Sequence, residues 1–363
     1  MAESSALTDL RWSCIRSFFP FDLDGLAVET GALQRRRKVG DGEKLLRAFM
    51  LYGLPHASFE RAAAEAKRLN IADMSGPGLF TRFKHSERFL QSVFEHLLSY
   101  SCDRVETWEG YRLVAVDATV LCGPGAKGTD QRLHVAYDLG KGRPLRVDVT
   151  GPEGGETFRR YLNLGPGVLV LADQCYGNGP GIVPLLESGA STLVRFNFHS
   201  IRLLNLEGLK ITPEAAEALL PEDGGVEFLA TLPGWAKPVR VFGARNPEGE
   251  GIWLLTDLPE SKLAKERVRS LYSRRWQIEN YFKRLKSILD VDALPTSKGP
   301  TARPWMWLKL ILTTLAVLIG HERFSPWGYP EAPLQQKEAD RKRGRPRKTS
   351  GTAPGATRPS PEA

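Results

Sequence analysis

The chain of 363 residues is 42% hydrophobic and 25% charged, a balance that excludes fibrous and wholly disordered classes and allows two or three domains with a substantial core. Its formal net charge of +8 and sequence pI near 9.3 point to an acidic polymer as partner, nucleic acid first. The four cysteines, Cys14, Cys102, Cys122 and Cys175, are scattered without a C-x-x-C pair, which excludes a disulfide framework or a zinc knuckle.

The opening MAESSALTDL lacks the charged and apolar regions of a secretory leader, so a cytoplasmic protein is expected. Residues 1–105 read as a helical domain. GEKLLRAFMLYGL suits one helix, and SFERAAAEAKRL suits a second with Ser58 as N-cap. After the turn NIADM, Ser75 precedes a proline near the first turn of a third helix. The last two helices, with Arg82, Lys84 and Arg88 on the second of them, have the length and turn of a helix-turn-helix; plain helix packing explains the same pattern.

From about residue 110 the period changes to that of strands. YRLVAVDATVL is an apolar strand ending on Asp117, followed by RLHVAYDL and RPLRVDVT across the turn LGKGRP. GVLVLADQCYGN repeats the first pattern, with Asp173 at the strand tip, and STLVRFNF is a further strand that carries Arg195. Asp138 and Asp148 read as turn residues, and His134 as a structural histidine. Residues 199–261 form a mostly β insertion (VEFLATL, KPVRVFGA, GIWLLTDL) with one short helix, PEAAEALL. Residues 106–198 and 262–325 are thus two parts of one α/β domain. WMWLKLILTTLAVLIG, Trp305 to Gly320, is short for a membrane span and carries Lys309, so a buried core helix and no membrane partner are expected. Residues 326–363 read as a disordered basic tail.

The stretch YSRRWQIENYFKRLKSIL, Tyr272 to Leu289, places one acid among five cationic residues. Projected as one helix, Leu271, Ile278, Tyr281, Phe282, Leu285 and Leu289 share an apolar face. Tyr272, Arg275, Glu279 and Lys286 share the neighbouring stripe, and i,i+4 pairs of Glu279 with Arg275 and Lys283 would be worth only a few tenths of a kcal/mol each. Two aspartates at strand ends and a glutamate on a later helix can converge at the edge of an α/β sheet. Converging carboxylates repel and need a cation, and oxygen-rich sites with open positions suit Mg²⁺ or Mn²⁺. Two such ions stabilise the attacking and leaving oxygens of a phosphodiester displacement. The cationic neighbours, Lys283 among them, then face a phosphate backbone.

VAVDAT, LADQCYGN and YSRRWQIENYFKRLK, in this order and with a long β insertion before the last, resemble the DDE transposases of the insertion-sequence 4 family and its Y-x2-R-x3-E-x6-K signature. The resemblance runs from about residue 35 to 320. It implies a ribonuclease H-like mixed sheet flanked by helices, with a DNA-end-binding helical domain before it. It also implies a metal-binding catalytic triad of Asp117, Asp173 and Glu279, holding two Mg²⁺ ions for which Mn²⁺ can substitute. Tyr272, Arg275 and Lys286 become contacts to the DNA backbone, with Arg suited to bidentate phosphate binding and Lys to a point charge. The implied reaction is cut-and-paste transposition: a water nicks one strand, and the freed 3′-hydroxyl attacks the opposite strand or target DNA. The resemblance further implies double-stranded DNA partners, namely inverted-repeat ends and target, a homodimer on them, and a location at the prokaryotic nucleoid.

Trp253 stands where hairpin-forming relatives stack a tryptophan on a flipped base; a core aromatic on a strand fits equally well. Gln174-Cys175 departs from the basic residue and glycine that relatives carry. RGRPRK in the tail, centred on Arg345, resembles an AT-hook for an A·T-rich minor groove. Three alternatives stay open: a metal-dependent nuclease without strand transfer, an inactive DNA-binding remnant, and, least compatible with the cationic helix, a two-carboxylate glycosidase.

Overall fold

The computed structural model describes residues 12–54, 57–99, 107–123, 125, 128–289, 294–296 and 299–324. The chain divides into compact units of residues 1–316 and 317–363, and of the second only the end of one helix is among the described residues.

Helices α1 (Leu23–Glu29), α2 (Gly42–Tyr52), α3 (Phe59–Arg68), α4 (Gly76–Lys84) and α5 (Glu87–Ser99) form the N-terminal part. Their starts are fixed by short polar caps. The Lys44 amide donates to Asp41 at 2.7 Å, the Arg61 amide to Ser58 at 3.1 Å and the Gly78 amide to Ser75 at 3.4 Å. An aromatic cluster of Phe49, Tyr52, Phe59 and Phe83 locks α2, α3 and α4 together, with the Tyr52 and Phe59 rings stacked at 3.9 Å. Arg82 of α4 donates to the Arg35 carbonyl at 2.8 Å.

The apolar helix α10 (Gly299–Phe324) packs on this part. Its Trp307 ring lies 5.6 Å from that of Phe94, Arg303 pairs with Glu87 at 3.5 Å, and Leu308 and Leu312 sit so close to Gly53 that a Cβ there would meet them at 3.1 and 2.6 Å. Over its membrane-length stretch 72% of residues are buried inside the protein, as a core helix requires.

The sheet has eight strands in the order β3-β2-β1-β4-β5-β8-β7-β6. These are β1 (Arg112–Leu121), β2 (Gln131–Asp138), β3 (Arg143–Thr150), β4 (Val168–Ala172), β5 (Ser191–Phe196), β6 (Val226–Ala230), β7 (Val239–Arg245) and β8 (Gly251–Thr256). β1, β4 and β5 run parallel, and β2 and β3 are antiparallel additions at one edge. The insertion does not form a separate layer. Its strand β8 pairs antiparallel with β5 and extends the same sheet through β7 and β6. Alternate residues divide the core in two. Val114, Val116, Val170, Val194 and Leu255 face one cluster with α6 (Gly179–Glu187). Leu113, Leu169, Leu171, Leu193 and Leu254 face the other, against α8 (Lys265–Ser273). The helix α9 (Trp276–Leu289) covers that second face, its Tyr281 ring 5.1 Å from Tyr137 of β2. A short helix, α7 (Pro213–Glu217), completes the insertion.

Three elements differ from the sequence expectation, one of them the helix α6, for which the sequence suggested no helix. β1 does not end at Asp117 but continues to Leu121, because β2 pairs with it along its whole far half. The single helix expected over 272–289 is two helices. The Arg275 and Ile278 amides donate three residues back, to Tyr272 and Arg275, at 3.0 and 3.1 Å, a tightening that breaks the α repeat between α8 and α9.

Candidate active site

Val116 and Ala172 are the last partners of the parallel β1–β4 ladder, so Asp117 and Asp173 follow as the next residues on neighbouring strands. β4 stops there while β1 runs on, which opens a notch beside Asp117. By strand alternation Asp117 points to the same face as Leu113, the face that α8 and α9 cover. Its Oδ1 accepts from the Ala118 amide at 2.8 Å. Burial, reinforced by the nearby charges of Asp173 and Glu156 and opposed by the Ala118 amide and Arg275, pushes its carboxyl up to about 7. Asp173 caps the short 3-10 turn that follows β4, accepting from the Cys175 amide at 3.0 Å. That turn is pressed onto β5 at Gly177, where a Cβ would meet the Arg195 carbonyl at 2.5 Å and the Phe196 Cα at 2.7 Å. Only glycine lets Asp173 sit this close to the sheet.

Glu279 enters from the first turn of α9. The connection between it and the strand aspartates is Arg275. Its Nη2 donates to Glu279 at 2.6 Å and its Nη1 stands 3.7 Å from Asp117 Oδ2. The guanidinium is largely buried, at 16% side-chain exposure, and lies 5.8 Å over the Tyr272 ring. Burial would lower its pKa, yet the surrounding Tyr272, Glu279 and Asp117 hold it above the ordinary value. Arg275 thus supplies the positive charge that lets two carboxylates share one site. Its Nε has no acceptor among the described residues, so one buried donor is left for an incoming oxygen.

Tyr272 sits at the end of α8, its phenol pushed up mainly by burial, within the fields of Arg275, Asp173 and Arg195. The break between α8 and α9 therefore keeps Tyr272, Arg275 and Glu279 together. Lys283 and Lys286 continue the stripe along α9, with the Lys283 ammonium 5.0 Å above the Trp276 ring. Arg195, on β5, lines a cleft of about 170 Å³ with Gln174, Asn197 and Trp253. Trp253 is only 7% exposed, its ring edge-on to Phe198 at 5.1 Å. It is accommodated by Gly243, where a Cβ would meet the indole at 2.3 Å. The structure brings Asp117, Asp173, Glu279, Tyr272, Arg275 and Arg195 to one end of the sheet, with Trp253 in the adjoining cleft. Arg345 and the AT-hook-like segment lie outside the described residues.

Asp138 lies at a strand-end turn and His134 in the core, whereas Asp148, expected in a turn, stands within β3 opposite His134. Asp138 ends β2, accepts from the Gly140 and Lys141 amides at 2.9 Å and pairs with Arg112. Asp148 pairs with Arg160 at 2.8 Å. His134 is fully buried, its Nε2 3.0 Å from the Thr150 hydroxyl, and burial pulls its pKa down to about 4, so it is neutral.

One acidic residue was not foreseen. Carboxylate oxygens of Glu156 and Asp173 and the Cys175 sulfur lie within 4.8 Å of one another. Glu156 arrives there because Phe158 and Tyr161 dock on Tyr176, with ring separations of 5.3 and 6.3 Å. No strand or helix pattern flags it; the only sequence signal is an acid just before two buried aromatics. Burial, together with Asp173 and Glu156, pushes the Cys175 thiol up to about 12, which keeps its soft sulfur protonated at neutral pH. The oxygen donors that remain, Asp117, Asp173, Glu156 and Glu279, fit a hard divalent ion.

Residues 108–315 match the family described as Transposase DDE domain. The putative transposase InsL for insertion sequence element IS186A of Escherichia coli K12 is 28% identical over 342 residues, covering 84% of this chain and 92% of that protein. The transposase for insertion sequence element IS421 of Escherichia coli is 27% identical over 343 residues, with the same coverage. Among solved structures, the piggyBac transposase in its synaptic complex with hairpin DNA superposes with a TM-score of 0.51 at 12% identity, covering 85% of this chain and 74% of that one.

Proposed function

The chain belongs to the DDE-domain transposases, enzymes that cut and rejoin DNA with a divalent metal, and from that premise we propose that it excises and inserts an insertion sequence by a cut-and-paste route, with Asp117, Asp173 and Glu279 as its catalytic carboxylates. One observation carries the assignment. Asp117 and Asp173 follow a shared strand pair, and Arg275 ties Glu279 to Asp117.

Two Mg²⁺ ions, with Mn²⁺ as substitute, would be held by these three acids and would activate the attacking hydroxyl and steady the leaving oxygen. The chain's own residues do the rest. Arg275 presents a forked donor set whose unused Nε suits a phosphate oxygen, and Tyr272 backs its face. Lys283, Lys286 and Arg195 contribute charge on either side of the scissile phosphate, where cations dominate affinity for DNA. Burial around Asp117 excludes water that would screen these charges. The spacing of Tyr272, Arg275, Glu279 and Lys286 supports placement in the insertion-sequence 4 family. Trp253, at the floor of the cleft beside Arg195, suits stacking with a flipped base if a hairpin forms.

We assign end recognition to residues 1–105, and to α10, which packs there, a bracing role. The catalytic domain spans residues 106–198 and 262–325, with the insertion of 199–261 as a sheet extension. The tail of 326–363, with Arg345, adds minor-groove affinity. A homodimer on paired double-stranded ends, at the prokaryotic nucleoid, completes the reading. The test is incubation of the purified chain with duplex DNA carrying the flanks of its own gene and Mg²⁺. Nicks at the element borders that leave 3′-hydroxyls are expected, followed by joining. Cleavage without joining favours a nuclease of the same fold; tight binding with no cleavage favours an inactive remnant.

A further inference from the structure

A second cationic feature lies outside the tyrosine–arginine–glutamate cluster. Between the edge strand β3 and the 3-10 segment Phe158–Leu164 runs an open groove of about 500 Å³, lined by Arg146, Asp148, Thr157, Arg159, Arg160 and Asn163. Only one of its three guanidinium groups is neutralised: Arg160 pairs with Asp148 at 2.8 Å. Arg146 donates to the uncharged Asn163 amide oxygen at 2.7 Å, and the exposed Arg159 side chain meets no acceptor among the described residues. Charges on an edge strand guard against unwanted strand pairing. That role does not account for Arg159 and Arg160, which lie on the following segment and face the same groove.

The chain links the groove to the carboxylate cluster. Arg132 donates to the Gly154 carbonyl at 2.9 Å and Arg160 Nε to the Gly155 carbonyl at 3.3 Å. These bonds fix the turn that delivers Glu156 to Asp173, and the next residue, Thr157, already lines the groove. Two surplus positive charges in an open trough one residue along the chain from Glu156, which stands beside Asp173, match a polyanionic strand. We propose that this groove seats the sugar-phosphate backbone of DNA leading away from the scissile bond, through Arg146 and Arg159. The proposal rests on the transposase reading of the carboxylate site and adds a second track for the same substrate. From Glu156 to Arg159 the chain spans at most about 10 Å, or about three nucleotide steps along a strand.

The test uses the full-length chain and a labelled duplex bearing the gene's flanks, with binding followed by fluorescence anisotropy across a salt series. Arg146→Ala/Arg159→Ala should reduce the slope of log affinity on log salt by about 1.8, two phosphates at about 0.9 each. Arg267→Ala, beside the start of β1 and ion-paired with Glu109 at 3.0 Å, should leave the slope close to wild type. Arg159→Ala alone removes an exposed side chain without a contact, so it keeps the test valid if the double variant misfolds; its slope should drop by about 0.9. A benzophenone side chain at position 159 should crosslink within about three or four nucleotides of the nick. An unchanged slope, a crosslink remote from the nick, or binding of ATP rather than duplex through these arginines overturns the proposal. If wild-type protein fails to nick the flanks in Mg²⁺, the transposase reading itself fails; if it nicks while slope and crosslink are unaffected, the groove alone is rejected.

Discussion

Neutralising Asp117 should stabilise the metal-free protein, and by more at alkaline than at acid pH. Its carboxyl ordinarily ionises near 3.8 and here near 7. The folded chain thus binds this proton more tightly than the unfolded chain, so the site's contribution is full below pH 4 and is lost as pH rises towards 7. At about 1.36 kcal/mol per pH decade the full effect is at most ~4 kcal/mol. A comparison of pH 5 with pH 8 captures about two thirds of it, and relaxation and water entry reduce that to roughly 1–2 kcal/mol. Asp117→Asn is neutral at both pH values and leaves Arg275 its bond to Glu279. In EDTA, the melting temperature of the variant relative to wild type should therefore rise by roughly 2–3 °C between pH 5 and pH 8. Circular dichroism melts measure it. A difference between the two proteins that stays constant with pH would refute the buried, charge-strained placement of Asp117.

Glu279→Gln should abolish DNA nicking while retaining duplex affinity within about threefold, since it removes a ligand and no phosphate contact; gel assays of cleavage and binding separate the two, and wild-type cutting would reject the assignment. Lys286→Ala should lower the salt slope of DNA binding by about 1, as expected for one lost phosphate contact, with an unchanged slope counting against it. Gly177→Ala forces a Cβ to 2.5 Å from the Arg195 carbonyl and should cost about 1–3 kcal/mol in stability. It should also slow nicking, because Asp173 shifts with the turn; a variant with unaltered melting and rate would contradict the close approach.

Much of this arrangement is legible in the chain because local periodicity and tertiary packing agree. The strands around Asp117, Asp173 and Arg195 are runs of branched apolar residues, and the caps at Ser58 and Ser75 lie at the helix starts they announce. Legibility fails where neighbours distant in sequence decide. β1 outlasts Asp117 because β2 pairs with it. α6 was not read at all, since Pro184 lies inside it and its nine residues offer no clean apolar stripe. Glu156 reaches the carboxylates only through the docking of Phe158 and Tyr161 on Tyr176. The break before Glu279 is invisible to a helical projection, which places the same side chains on one stripe and so finds the cluster by a partly wrong path.

The most direct measurement is of where a divalent ion binds. Fe²⁺ in place of Mg²⁺, with ascorbate and peroxide, cuts a polypeptide backbone beside the bound ion, and mass spectrometry of the fragments locates the cuts. Breaks should appear together near residues 117, 173 and 279, fade as Mg²⁺ is added, and vanish in Asp117→Asn. Breaks confined to one of these segments, or scattered elsewhere and insensitive to Mg²⁺, would contradict a common ion pocket formed by the three acids.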